Sequence, residues 1–236
     1  MNSRIFCTVL LLLGFACRND EAFKEMPPVP EDVFNIELCP ALVNNITALF
    51  PESKNNQAKY AQLFSADVQQ RIILTKDADV YVSFVTEAAA FGNVLGYYVY
   101  NSSTPPGSPE DIEKQLIFPN VDNSYLSTGD TRRLGTTQLK AGTVVGFFLI
   151  VGGYRNDGVY FKRPTFYTDY AWNADRTKQH VLCEEKECKS IVIGFEDKTI
   201  DLADKDYNDI IFTVSDNIHK QENTSFDLQK VVVLSN

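Results

Sequence analysis

The sequence predicts an all-β fold, a jelly-roll-like β-sandwich with a short N-terminal helical segment ahead of it. Three observations carry that prediction. From Arg71 onward the chain breaks into roughly nine to eleven short runs rich in Val, Ile, Tyr and Phe, the composition of strands. Gly, Pro, Asn and Asp separate these runs at the spacing expected of a sandwich or jelly roll. Outside the N-terminus, the most apolar run is TVVGFFLIVGG at 143–153. Its core suits a buried strand and falls far short of the roughly 20 residues a membrane-spanning helix needs. No internal repeat and no break in composition divides 71–236, which is read as one domain.

Taken in order, the chain opens MNSRIFCTVLLLLGFACRNDE. Arg4 and the apolar stretch Ile5 to Ala16 have the layout of a secretory signal peptide, assigned to residues 1–16. The stretch LGFAC, ending at Cys17, looks like a bacterial lipoprotein cleavage site with Cys17 as the lipidated first mature residue. Gly14 stands where a Leu-like residue is usual, so ordinary cleavage nearby is the alternative. Residues 17–37 are polar, Pro-rich and non-periodic and read as a flexible tether. Residues 38–70 form a helical or loop lead-in. Ala41, Leu42, Ile46, Leu49 and Phe50 recur at helical spacing and Pro51 stops the run. The stretch SKNNQAKYAQLFSADVQQ is either a short helix or a loop.

Beyond Arg71 the runs RIIL, DVYVSFVTEA, NVLGYYVY, QLIFPN, TRRLGTTQ, TVVGFFLIV, GVYFK, QHVLC, SIVIGF, DIIFTVS and KVVVL read as strands. Between them, Ser108-Pro109-Glu110-Asp111 suggests an N-cap and first turn of a short helix. Of the five cysteines, Cys7 leaves with the signal and Cys17 is the anchor. Cys183 and Cys188 flank a charged loop and are expected to pair across a hairpin. Cys39 is then unpaired, or replaces one of the two.

The net charge is −9, which disfavours binding a nucleic-acid backbone. Much of that charge is local. EDKTIDLADKDYNDIIF carries Glu196, Asp197, Asp201, Asp204, Asp206 and Asp209, with only Lys198 and Lys205 against them. Calcium takes six to eight oxygen ligands in a flexible shell, and close-set carboxylates with Asn208 on a loop between two strands can supply them. The pattern is not an EF-hand, because Asp209 stands where the required glycine would be and Ser215 where the Glu would be. A solvated acidic loop whose Asp and Asn residues serve turns is the competing reading.

IVIGFED followed by DKDYNDIIFTVS resembles the C-terminal signature of the calcium-binding domain of unknown function found in LruC-type lipoproteins and large bacterial adhesins. Upstream, YVSFVTEAAAFGNVLGYYVYNSSTPP, LIFPN, LGTTQLKAGTVVGFFLIVGG, TFYTDYAWNAD and KQHVLC follow in the family's order, so the resemblance covers about residues 65–217. It implies a secreted or surface β-sandwich without known catalysis. It also implies calcium ligands drawn from Glu196, Asp197, Asp204, Asp206, Asn208 and Asp209. Thr199 to Ala203 stand where the family has Gly-rich spacing, which leaves Asp201 the weakest of the acids. Asp169 and Asn173, in the tyrosine-rich segment, are second-tier ligands or else turn residues bonding backbone.

Enzymatic activity is not expected. There is no GxSxG, HExxH, P-loop or Cys-His arrangement, and the two histidines, His180 and His219, are not paired with a nucleophile. A glycosidase needs two carboxylates with separated roles, and nothing marks a proton donor among the clustered acids. The expected function is an exported, lipid-anchored protein of the bacterial outer membrane or cell surface, or otherwise a secreted one. Calcium is its cofactor, and a surface glycan or protein its ligand in adhesion or interaction. The alternative is a calcium-dependent carbohydrate-binding module using Trp172, Tyr167 and Tyr170, ahead of a glycosidase.

Overall fold

A computed structural model describes residues 22–219 and 222–236; the signal segment and Cys17 lie outside the described residues. The strands are β1 (Phe23–Glu25), β2 (Phe34–Asn35), β3 (Ile72–Ile73), β4 (Tyr81–Glu87), β5 (Asn93–Asn101), β6 (Gln115–Val121), β7 (Asp130–Arg133) and β8 (Thr143–Ile150). They continue with β9 (Tyr154–Arg155), β10 (Gly158–Tyr160), β11 (Thr165–Tyr167), β12 (His180–Glu185), β13 (Ser190–Phe195), β14 (Ile210–Ser215) and β15 (Val232–Leu234). Helices α1 (Leu42–Leu49) and α2 (Asn56–Lys59) precede β3, and a 3-10 turn follows α2 at Ala61–Phe64.

The predicted sandwich is present. One sheet has the order β15-β12-β13-β14-β4-β7-β2, and the other β11-β8-β5-β6 with β3 also on β8. All pairs are antiparallel except β12 with β15. Side chains alternate across each strand, so every second residue faces the partner sheet. Val145, Phe147 and Leu149 of β8 meet Ile191, Ile193 and Phe195 of β13 and Phe212 and Val214 of β14 in the central core. The out-of-phase residues Val192 and Ile211 face the other way, under a third layer formed by Leu42, Ile46, Leu49 and Phe50 of the lead-in. On the opposite outer face, Tyr98 and Phe148 lie over Gly146 and Gly96, where a Cβ would fall 2.2 and 2.1 Å from the facing rings.

Three expectations are corrected. Residues 23–35 are not a loose tether. β1 pairs with β10, β2 pairs with β7, and the Asn120 N–H donates to the Pro28 carbonyl. The prolines that suggested a linker fall between strands, where no ladder N–H is needed. Ser108 to Asp111 form a capped turn that goes no further: the Asp111 carboxylate accepts from the Ser108 N–H and hydroxyl. The disulfide joins Cys39 to Cys188, with Cα atoms 5.8 Å apart, so Cys39 replaces Cys183 as the partner, the alternative the sequence left open, and Cys183 is a buried free thiol. In the β12–β13 hairpin Cys183 sits opposite Val192, while Cys188 is in the turn beyond the Glu185–Ser190 pair. Cys183 therefore faces the lead-in layer from mid-strand, and Cys188 is left to the Cys39 that precedes α1. Among the described residues, no helix is long and apolar enough to cross a membrane.

Candidate metal centre

Strands β13 and β14 pair as far as Phe195 and Ile210, and the residues between them carry the acids. Glu196 is the first residue past β13 and Asp209 the last before β14. Two bonds hold the neck of the loop: the Asp197 N–H donates to Asp209 Oδ2 at 2.7 Å, and the Tyr207 N–H donates to Glu196 Oε1 at 2.7 Å. Gly194 lets the chain fold back here, since a Cβ would sit 2.3 Å from the Tyr207 carbonyl oxygen. Lys205 and Tyr207 have φ of 68° and 60°, so Asp206 is held between two left-handed residues. Each such non-glycine residue costs on the order of 1–2 kcal/mol.

Residues far away in sequence complete the surroundings of Asp206. Its Oδ2 accepts from the Ser53 N–H at 2.7 Å and its Oδ1 from the Asn208 N–H at 3.2 Å. Its carbonyl accepts from Asn56 Nδ2 at 2.9 Å, and the Lys205 carbonyl accepts from the Asn56 N–H. Asn208 Nδ2 donates to the Phe50 carbonyl at 3.1 Å. The segment that leaves α1 after Pro51 therefore lies against the loop. It brings in Glu52, which sequence reasoning missed: carboxylate oxygens of Glu52, Asp204 and Asp206 all lie within 4.8 Å of one another. Glu52 and Asp204 are exposed and Asp206 is buried. The Oδ1 atoms of Asn56 and Asn208 are buried without a hydrogen-bond partner.

At the neck, Asp197 accepts from Asn93 Nδ2 at 3.1 Å, and the Ala88 N–H donates to the Asp209 carbonyl. Glu87 stands nearby. Burial raises its carboxyl above the usual range, and the charges of Asp122 and Asp197 add to the effect. Burial is also the main reason that Glu196 is pushed up to about 8, Asp209 to about 7 and Asp206 to about 6. Backbone N–H groups pull the other way, through Tyr207 on Glu196, Asp197 on Asp209, and Ser53 and Asn208 on Asp206. Mutual repulsion adds to each rise, Lys198 eases Asp209, and the five ion pairs among the described residues all lie elsewhere. Among the described residues, then, Glu196, Asp197 and Asp206 are buried and Asp209 half-buried around one loop, without an ion-paired cationic side chain.

The loop lies inside a recognisable stretch. Residues 139–217 match the family model of a domain of unknown function, DUF4114. No curated protein and no solved structure matches the chain. The DUF4114 stretch is about a third of the sequence and runs from just before β8 through β14, so it holds every acid of the loop but not Glu52, Asn56, Glu87 or Asn93.

Within the same stretch, the remaining sequence-predicted residues do not join the buried acids. Asp201 is exposed in the turn closed by Leu202 and Ala203 N–H bonds to Thr199. Asp169 pairs with Arg71 and accepts from the Tyr98 hydroxyl at 2.7 Å. Asn173 is buried and serves backbone: its Oδ1 accepts from the Tyr167 N–H and its Nδ2 donates to the Thr177 carbonyl. Trp172 packs between Tyr98 and Tyr167, with centroids 5.4 and 5.8 Å away, and Tyr167 is itself buried. No spacing rule could have flagged Glu52, because it lies about 150 residues before the acids it joins. The local signal was only that Pro51 ends α1 and forces the chain to turn.

Proposed function

We propose that this protein is a calcium-binding β-sandwich, exported and lipid-anchored through Cys17, that works as an adhesion or interaction module at the cell surface. The observation that carries the metal reading is the buried Glu196 and Asp206 with the half-buried Asp209, gathered at one loop without an ion-paired cationic side chain among the described residues. Ionised carboxylates taken out of water need a counter-charge. The donor set is all oxygen, carboxylates and asparagine carbonyls, with neither His nor Cys in the group, which suits a hard cation rather than zinc. Ligands from several segments and of mixed type suit the loose six-to-eight-fold shell of calcium better than the strict octahedron of magnesium.

Asp204, Asp206 and Asn208 are the residues that would hold the ion, with Glu196, Asp197 and Asp209 supplying charge around it. When bound, calcium supplies the positive charge that these acids lack. The protein's part is to keep the carboxylates close and buried, so that binding releases their protons and ties β13 to β14. Calcium titration by calorimetry on the mature protein tests this, with Asp206→Ala and Asp209→Ala as controls. Binding heat in the wild type that is lost in the variants is the expected result. An absence of both heat and melting shift in millimolar calcium overturns it. For the anchor, the mass of the membrane-fraction protein should show a diacylglycerol-modified Cys17, and a free mature N-terminus elsewhere overturns that part. The carbohydrate-binding alternative rests mainly on Tyr170, since Tyr167 and Trp172 are engaged in packing.

A further inference from the structure

We propose that the metal site is a clasp between two distant parts of the chain: Glu52 is a ligand from outside the acidic loop, and ion binding fastens residues 50–60 onto that loop. The inference rests on the calcium reading above and assigns it a second segment and a mechanical role. Oxygens bound to one calcium at 2.3–2.6 Å can be no more than about 5 Å apart. Glu52, Asp204 and Asp206 meet that limit, with oxygens all within 4.8 Å. Such a group of acids alone would be ordinary on a protein surface.

A separate observation points to a ligand. Asn56 and Asn208, 1% and 7% exposed, each bury an amide oxygen with no hydrogen-bond partner. Leaving such a carbonyl unsatisfied costs about 1–3 kcal/mol. Their amide nitrogens are committed across the same junction, Asn56 to the Asp206 carbonyl and Asn208 to the Phe50 carbonyl. Each unpartnered oxygen therefore lies one amide group away from the contact between the two segments. Neutral carbonyls beside carboxylates are what a calcium shell uses to reach six or more ligands without excess charge.

The junction has a built-in conflict. The Ser53 and Asn56 N–H groups bond to Asp206 and Lys205 and draw residues 50–60 in. Glu52 meets two like charges, the carboxylates of Asp204 and Asp206 within 4.8 Å of its own, and their repulsion pushes the segment away. A divalent cation reverses the sign of that last contact, so it switches the segment from strained to held. The exposed positions of Glu52 and Asp204 leave the ion an open approach.

Hydrogen exchange on the full mature chain tests the clasp, read at residues 53–60 with calcium and with chelator, beside calorimetry on wild type, Glu52→Gln and Asp206→Asn. In the wild type, calcium is expected to slow exchange across 53–60 about tenfold. Glu52→Gln is expected to bind calcium about tenfold more weakly. In chelator, the same variant should exchange more slowly than wild type, because the repulsion is gone, an opposite sign that loss of a merely structural contact would not give. Wild type that binds calcium while Glu52→Gln binds equally tightly, with equal protection of 53–60, overturns the clasp and leaves the calcium reading standing. Wild type that binds no calcium overturns both.

Discussion

Asp169 and Asp206 sit on opposite outer layers of the same sandwich. Around Asp169 the chain brings in Arg71, the Tyr98 hydroxyl at 2.7 Å and the Asp169 N–H bond back to that hydroxyl. Arg71 is in turn held above its ordinary pKa; burial opposes this, but the charge and hydrogen bond of the Asp169 carboxylate help to outweigh it. Around Asp206 the chain brings in Asp204 and Glu52, plus backbone N–H groups that satisfy lone pairs without cancelling charge. The first acid is a closed structural unit. The second is one partner short. An acid buried with a guanidinium and phenols has its compensation inside the chain, whereas one buried with other acids must find it in a proton or a cation.

The contrast can be broken most forcefully at Asp169. Asp169→Asn strands a partly buried guanidinium and should cost about 3 kcal/mol in urea unfolding, with calcium making no difference. A loss below about 0.5 kcal/mol, or one that calcium repairs, would mean the two acids are not different in kind. Next in size is the calcium effect at the loop. At a hundredfold excess over Kd, calcium should stabilise the wild type by about 2.7 kcal/mol and Asp206→Ala by almost nothing. Equal melting shifts in the two proteins would place the ion elsewhere.

The dependence on pH sharpens the comparison. In chelator, the folded carboxyls of Glu196, Asp209 and Asp206 hold protons up to about 8, 7 and 6, well above the unfolded carboxylate range near 4. The folded state then binds more protons than the unfolded one across that window. Their contribution is therefore fully present below about pH 4 and is lost as pH rises toward 8. A fall in stability between pH 5 and pH 8.5 is expected in thermal melts, with calcium flattening the slope. A chelated protein whose stability rises over that range contradicts the burial of free acid in the loop. The smallest effect has the opposite sign to the first. In chelator at pH 8, Asp206→Asn should gain up to about 1 kcal/mol from relieved repulsion, and a clear loss there would show that the carboxylate is already compensated.

Much of the scaffold was legible because burial on a regular element leaves a local period. The run at 143–153 became β8, Ala41 to Phe50 became α1 and its exit, and Glu196 and Asp209 mark the two ends of the acidic loop as read. What could not be read depends on contacts between distant residues. Glu52, Asn56, Glu87 and Asn93 reach the loop only once the sheets and the lead-in are stacked, and none carries a motif. Asp169 looked like a ligand because its tyrosines were visible in the sequence while its partner, Arg71, was about 100 residues away. The cysteine pairing failed for a related reason. Proximity in sequence suggested Cys183 with Cys188, but strand alternation turns one into the lead-in layer and leaves the other in the turn.

That pairing also sets a problem of timing. Cys39 and Cys188 are 149 residues apart, and a chain emerging from its N-terminus presents Cys183 to Cys39 ahead of Cys188. Until β12 is seated between β13 and β15, Cys183 is an ordinary thiol and a competitor for the bond. Once seated, it is withdrawn from exchange, because burial, with Glu185 and Glu184 adding, pushes its thiol up to about 12 and starves it of thiolate. Fidelity of oxidation is thus enforced by the assembly of the sheet. Refolding with a delayed oxidant should give more of the correct isomer than refolding in oxidant from the start, with Cys39–Cys183 as the characteristic scrambled by-product.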